Sequence, residues 1–157
     1  GISIKGFEPN NTKNKVKDGQ EIKDGNGNVY RGGVKDGKPH GHGTYTYANG
    51  DVFFGIWEDG NIIQGTANYA SGAMYVGSFS NGQRHGRGSF HYSNGVKYVG
   101  EWKNDMQFGK GTITMTDGMS FTGNFKDNAP DGRGFMLLVG GDKILGEYKD
   151  GKFVADK

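Results

Sequence analysis

Apolar and polar residues alternate in short bursts along most of this chain. In Tyr98-Val-Gly-Glu-Trp102, Tyr98, Gly100 and Trp102 share one parity, while Val99, Glu101 and Lys103 share the other. Gly86, Gly88, Phe90 and Tyr92 stand apart from Arg87, Ser89 and His91 in the same way. A period of two belongs to a β-strand, whose successive side chains point to opposite faces. Each burst ends at a dipeptide suited to a tight turn. Asn49-Gly50, Asn94-Gly95 and Asp117-Gly118 mark one connection; Asp36-Gly37, Asp59-Gly60, Asn81-Gly82 and Asp150-Gly151 mark another. Glycine reaches positive φ at little steric cost, and Asn and Asp tolerate it. The pattern predicts two short antiparallel strands and two turns per unit.

The units recur. Gly32, Gly55, Gly77, Gly100, Gly123 and Gly146 are separated by 23, 22, 23, 23 and 23 residues. Two positions before each stands Tyr30, Phe53, Tyr75, Tyr98, Phe121 or Ile144. Two positions after stands a ring in five of the six: Trp57, Phe79, Trp102, Phe125 and Tyr148, with Val34 the exception. Further glycine series, Gly43 to Gly134 and Gly27 to Gly141, keep the same period. Repeats of 20–50 residues signal stacked arrays. Rings and glycines fall on one face. A ring laid over a cross-strand glycine buries itself against bare backbone, so a single sheet gains a thin core.

Composition sharpens this reading. Glycine supplies 31 of 157 residues and aromatics 20, while there are only 3 Leu and 6 Ala. Helix bundles need more Leu and Ala, and three prolines without a Gly-X-Y period exclude collagen. The absence of cysteine excludes disulfides and thiolate metal sites. A net charge of +2 gives little reason to expect nucleic acid. The segment Asp24-Gly-Asn26-Gly-Asn28 resembles the start of a calcium loop. The sixth and twelfth positions, Val29 and Lys35, do not fit one, so it reads as a polar turn. His40 and His42 lie two apart on one strand face, with His85 and His91 further on, but His40 and His85 occupy the His-Gly slot of the repeat itself, and no nucleophile motif occurs. No catalytic residue, cofactor or metal is expected.

The units Tyr75-Val-Gly-Ser-Phe79, Arg84-His85-Gly86-Arg87-Gly88 and Asn94-Gly95 resemble the MORN (membrane occupation and recognition nexus) repeat family. So do Tyr30-Arg-Gly-Gly, Pro39-His40-Gly41-His42-Gly43 and Asn49-Gly50. Departures occur at Asn61-Ile62-Ile63-Gln64-Gly65, Phe108-Gly109 and Pro130-Asp131-Gly132, where His-Gly is expected. The resemblance implies an all-β, elongated, single-layer, twisted antiparallel sheet of about six hairpin repeats over residues 26–151. Residues 1–25 are expected to form an atypical, partly mobile N-terminal cap, and 152–157 a C-terminal tail. Family members serve as scaffolds or as modules fused to enzymes, linked to protein partners, to self-association and to acidic phospholipids. An intracellular setting at a cytoskeletal or membrane surface is the matching expectation. Residue 1 is not methionine, so a targeting or regulatory domain of a larger enzyme is a further one.

Three sets of site residues follow. A partner peptide or amphipathic helix is expected on the ring-lined face, at Tyr30, Phe53, Trp57, Tyr75, Phe79, Tyr98, Trp102, Phe121 and Phe125. An anionic membrane surface is the alternative, at Arg84, His85, Arg87, Lys97, Lys103 and Lys110. The run Phe135-Met-Leu-Leu-Val139 is apolar at both parities. Phe135, Leu137 and Val139 are therefore expected to form a homodimer or docking contact, or to be covered by a fold-back of residues 152–157.

Overall fold

The computed structural model describes residues 15–157. Residues 1–14 of the expected N-terminal cap lie outside this range. The described chain forms thirteen strands: β1 (Lys17–Lys23), β2 (Val29–Lys35), β3 (Lys38–Thr46), β4 (Val52–Glu58), β5 (Asn61–Asn68), β6 (Met74–Ser80), β7 (Gln83–His91), β8 (Lys97–Lys103), β9 (Met106–Thr114), β10 (Ser120–Lys126), β11 (Ala129–Leu137), β12 (Lys143–Lys149) and β13 (Lys152–Ala155). They pair in sequence order as one antiparallel meander. At about 4.8 Å per strand, twelve steps span roughly 58 Å.

The glycine series pair with one another. Gly32, Gly43, Gly55, Gly65, Gly77, Gly88, Gly100, Gly111, Gly123, Gly134 and Gly146 form an unbroken row across the sheet. Beside it runs a row of large side chains on the same face. A Cβ built on Gly111 would stand 2.5 Å from Tyr98 Oη and 2.6 Å from its Cε2, so the ring occupies the place of a side chain. Gly43, Gly88 and Gly134 hold the rings of Tyr30, Tyr75 and Phe121 in the same manner. Burying each such ring contributes roughly 1.5–3 kcal/mol, which stabilises a sheet that has no second layer.

The short connections explain the other conserved spacing within the repeat. Asp36, Asp59, Asn81, Asn104, Asp127 and Asp150 have φ between 49° and 53°, and a second positive-φ residue follows each. This is the backbone of a two-residue hairpin turn whose twist matches its strands. The returning strand carries a bulge, as between Gly77/Phe79 and its partner β7, where Gly86 sits at φ 84°. A bulge inserts extra residues and re-aims side chains, and it accounts for the Gly of His-Gly.

Both ends extend the sheet beyond residues 26–151. β1 pairs with β2, with Ile22 opposite Tyr30. β13 pairs with β12, so residues 152–155 continue the meander and do not fold back over a face. Phe153 joins the ring face, its centroid 5.6 Å from that of Tyr148, while Val154 stays exposed on the other side.

Candidate interaction surface

The rings named from the sequence do share one face, but eight of the nine are buried in it. Tyr30, Tyr75 and Tyr98 have no exposed surface, and Trp57, Phe79, Trp102, Phe121 and Phe125 are nearly as enclosed. Phe53 alone is half-buried. The rings close on one another edge to face. Trp57 meets Tyr30 at 5.6 Å, Trp102 meets Tyr75 at 5.5 Å, Phe125 meets Tyr98 at 4.9 Å and Tyr148 meets Phe121 at 4.7 Å. Their polar atoms are satisfied internally. Tyr75 and Tyr98 hydroxyls donate to the carbonyls of Ser78 and Glu101 at 2.7 Å. Trp57 and Trp102 Nε1–H donate to the carbonyls of Gly43 and Gly88 at 3.0 and 3.2 Å. Burial pushes the Tyr98 hydroxyl up to about 12, and that of Tyr75 further.

What the face offers to solvent is a second, half-buried row: Tyr45, Phe53, Tyr69, Tyr92, Ile113 and Met136 packed against the core. At its centre the sheet departs from its own repeat. Facing the residue two positions before each short turn, Val34 in the first unit and a ring in the other five, the chain places Pro39, Ile62, Arg84, Gln107, Pro130 and Phe153. Four are apolar; Arg84 and Gln107 are not. Each of these two makes the same network. Arg84 donates to the Tyr69 hydroxyl at 2.9 Å, and its backbone N–H donates to Asp105 Oδ1 at 2.7 Å. Gln107 donates to the Tyr92 hydroxyl at 2.6 Å, and its backbone N–H donates to Asn128 Oδ1 at 2.8 Å. Asp105 and Asn128 occupy the turn position that is glycine elsewhere, each at φ 68°. Their side chains reach the preceding hairpin, which glycine cannot do.

Arg84 is held in an aromatic cradle, its guanidinium carbon 4.9 Å from the Phe90 centroid and 5.0 Å from that of Trp102. Stacking of this kind stabilises a partly desolvated cation. Beside it opens a cavity of about 450 Å³ lined by Arg84, Phe90, Tyr92, Trp102, Gln107 and Asn128, among others. Gln107 is buried, and its Oε1 has no hydrogen-bond partner. Burial raises the Tyr69 and Tyr92 hydroxyls above the usual tyrosine range; Arg84 and Gln107 respectively oppose that shift.

The basic cluster Arg84-His85-Gly86-Arg87 is divided between the two faces of the sheet. Arg84 has the parity of Gly86 and Gly88 and lies on the ring face. Arg87, Lys97 and Lys110 lie on the opposite face, as their register with Glu101, His91 and Asn124 requires. The Glu101 carboxylate is among them, accepting from the Lys110 backbone N–H at 2.8 Å. His85 and Lys103 are exposed. At the C-terminal end Phe135 is half-buried, with Lys143 Nζ 4.0 Å from its centroid. Leu137 and Val139 are 40% and 71% exposed. Asp24 turns its carboxylate onto its own loop, taking the backbone N–H of Asn26 at 2.7 Å, and is held below the usual carboxylate range by the Asn28 side chain.

The described residues form an open array of β-hairpin repeats that offers two long faces. The MORN repeat pattern matches residues 30–52, 75–97, 98–120 and 121–143, and the chain belongs to that family, whose repeats are interaction modules. A 68-residue stretch is 37% identical to alsin of Rattus norvegicus and 35% identical to alsin of Homo sapiens, covering 40% of this chain. The same stretch is 4% of the length of those curated relatives. Among solved structures, the TCP domain of SAS-4 of Drosophila melanogaster, in complex with a proline-rich motif of Ana2, aligns over 83% of this chain and 90% of that one. Its identity is 17% and its TM-score 0.31, too low to bear on function.

Proposed function

We propose that this chain is a non-enzymatic module that holds a peptide or amphipathic helix of a partner protein along the ring face. The observation that carries the reading is the central cavity. It joins an apolar floor of Phe90 and Trp102 to a few convergent polar groups, and one of its lining side chains, Gln107, carries an unpaired amide oxygen. Binding sites combine these two ingredients. The buried rings then act as the platform, and the half-buried row of Phe53, Tyr69 and Tyr92 makes the contact.

Display of random 20-residue peptides on the immobilised chain tests this. Selected peptides are expected to lose about a hundredfold in affinity on a Phe53→Glu, Tyr92→Glu double variant, or roughly 2.7 kcal/mol. They are expected to bind a Val99→Asp variant, altered on the opposite face, unchanged. Peptides that bind all three chains equally refute the ring face as the site.

A further inference from the structure

Tyr30, Tyr75, Tyr98 and Phe121 set the parity of the ring face, and the register carries it from strand to strand. Across β2 to β13 every lysine, arginine and carboxylate has the other parity except Arg84, which stands opposite Phe79. A cation among apolar groups is costly unless it is paired, and the fold supplies only part of the pairing. Arg84 Nη1 donates to the Tyr69 hydroxyl and Nη2 to the Asp105 backbone carbonyl, each at 2.9 Å. The Asp105 carboxylate is engaged with the main chain. Its Oδ1 accepts from the Arg84 backbone N–H at 2.7 Å and stands 3.5 Å from Nε, which finds no hydrogen-bond partner. Each Nη keeps a second N–H, and the Arg84 side chain is 20% exposed, so a ligand can reach it.

One repeat further along, Gln107 shows the same break in the pattern with the opposite polarity. Its Nε2 donates to the Tyr92 hydroxyl at 2.6 Å, while its Oε1 is a buried acceptor without a donor. Leaving such a group unpaired costs free energy that a ligand N–H would recover. Arg84 and Gln107 line one cavity over Phe90 and Trp102. The Arg84 charge is felt along it: burial raises the Tyr92 hydroxyl, and the Gln107 bond and the Arg84 charge both hold that rise down. The cavity thus offers an anion-seeking fork and a bare amide oxygen that seeks an N–H.

We propose, resting on the ring-face reading above, that the ligand is an apolar peptide carrying an acidic residue, whose carboxylate pairs with Arg84 while a neighbouring backbone N–H donates to Gln107 Oε1. A carboxylate presents two acceptor oxygens in one plane, the partner a guanidinium fork prefers. The polypeptide backbone supplies the N–H that an isolated anion lacks. Phe90 and Trp102, with ring centroids 4.9 and 5.0 Å from the guanidinium carbon, hold the fork in place for it.

Three libraries of displayed 20-residue peptides test this on the full chain. All use the same apolar residues, with glutamate, glutamine or lysine as the sole polar type. The glutamate library is expected to enrich at least tenfold over the other two. Changing the anchoring glutamate of a selected peptide to glutamine is expected to cost at least tenfold in affinity on the parent chain, less at high salt, and nothing on Arg84→Leu. That variant is expected to keep the strand circular-dichroism signal, since Ile62 fills the same slot in another repeat; Arg84→Gln is expected to behave alike. Gln107→Leu is expected to weaken both peptides and keep the preference for glutamate. Equal affinity of the glutamate and glutamine peptides on the parent, a glutamate preference that survives in Arg84→Leu and Arg84→Gln, or stronger enrichment of the lysine library each overturns the proposal. If the libraries enrich equally and binding is lost in an uncharged Phe53→Gln, Ile113→Gln variant, the ring-face reading stands and the acidic anchor falls. Binding that this variant leaves unchanged, or no enrichment at all, overturns both.

Discussion

Replacing Gly111 with alanine places one methyl group where the Tyr98 ring lies. The new Cβ would meet Tyr98 Oη, Cε2 and Cζ at 2.5, 2.6 and 2.7 Å, well inside van der Waals contact. Tyr98 cannot swing away cheaply. It has no exposed surface, its hydroxyl is bonded to the Glu101 carbonyl at 2.7 Å, and it is wedged between Trp102 at 5.2 Å and Phe125 at 4.9 Å. Overpacking costs about 1–3 kcal/mol, and displacing the hydroxyl forfeits roughly 1 kcal/mol of hydrogen bond. Against this, alanine is favoured over glycine in a strand by about 0.5–1 kcal/mol. Gly111→Ala is thus expected to destabilise by about 1–3.5 kcal/mol. In a Tyr98→Ala background the obstruction is gone, and the same change should stabilise by about 0.5–1 kcal/mol. Urea unfolding of the four chains, each carrying Trp57→Phe, closes the cycle, with Trp102 fluorescence reporting the repeats around it and circular dichroism the whole array. The two probes are needed because repeat arrays depart from two-state unfolding. A Gly111→Ala that is neutral in both backgrounds refutes the claim that rings replace side chains over the glycine row.

Four further outcomes are expected. Asp105→Ala should destabilise by about 1–2 kcal/mol, since it keeps the positive-φ cost and loses the bond to the Arg84 N–H, whereas Asp105→Gly should be near neutral by relieving that cost; thermal unfolding separates them. Tyr75 and Tyr98 have folded values raised above the unfolded value of about 10, so the folded state holds protons that the unfolded state has released. Stability is then full below pH 10 and falls as pH rises toward 12, and tyrosinate absorbance should show these two hydroxyls titrating only as the array unfolds. Arg84→Leu should change the unfolding midpoint little, because other repeats hold Ile62 and Pro130 in that slot, yet it should weaken any ring-face ligand. We also propose that copies pair through Phe135, Leu137 and Val139: light scattering near ~100 μM should give twice the chain mass for the parent and the single mass for Leu137→Asp, and a single mass in both refutes it.

The sheet was legible because its cause is local and periodic. A ring, a glycine and a second ring at spacing two, repeated every 23 residues, leave few folds able to satisfy them. The same regularity hid the site. Tyr75 and Trp102 look like ligand-binding aromatics in the sequence, but single-layer packing consumes them, and only register shows that Tyr75 lies over Gly88. Arg84 groups with the basic cluster in the sequence for a related reason. Neighbours in sequence alternate between faces, so Arg84 and Arg87 sit on opposite sides of the sheet. A signal for the central cavity was present in the repeat alignment. Arg84 and Gln107 stand where other units have Pro39, Ile62 and Pro130, and Asp105 and Asn128 stand where others have glycine.

The central claim is that partners bind over the rings. Its most direct test is a titration of isotope-labelled chain with a selected peptide, following the two indole N–H resonances of Trp57 and Trp102 and the backbone amides. Both indoles lie on the ring face. Binding there is expected to move the Trp102 indole and the amides around Arg84, Tyr92 and Gln107, all saturating with one affinity. Saturable binding that leaves those signals in place and moves only amides around Val76 and Val99 would contradict it.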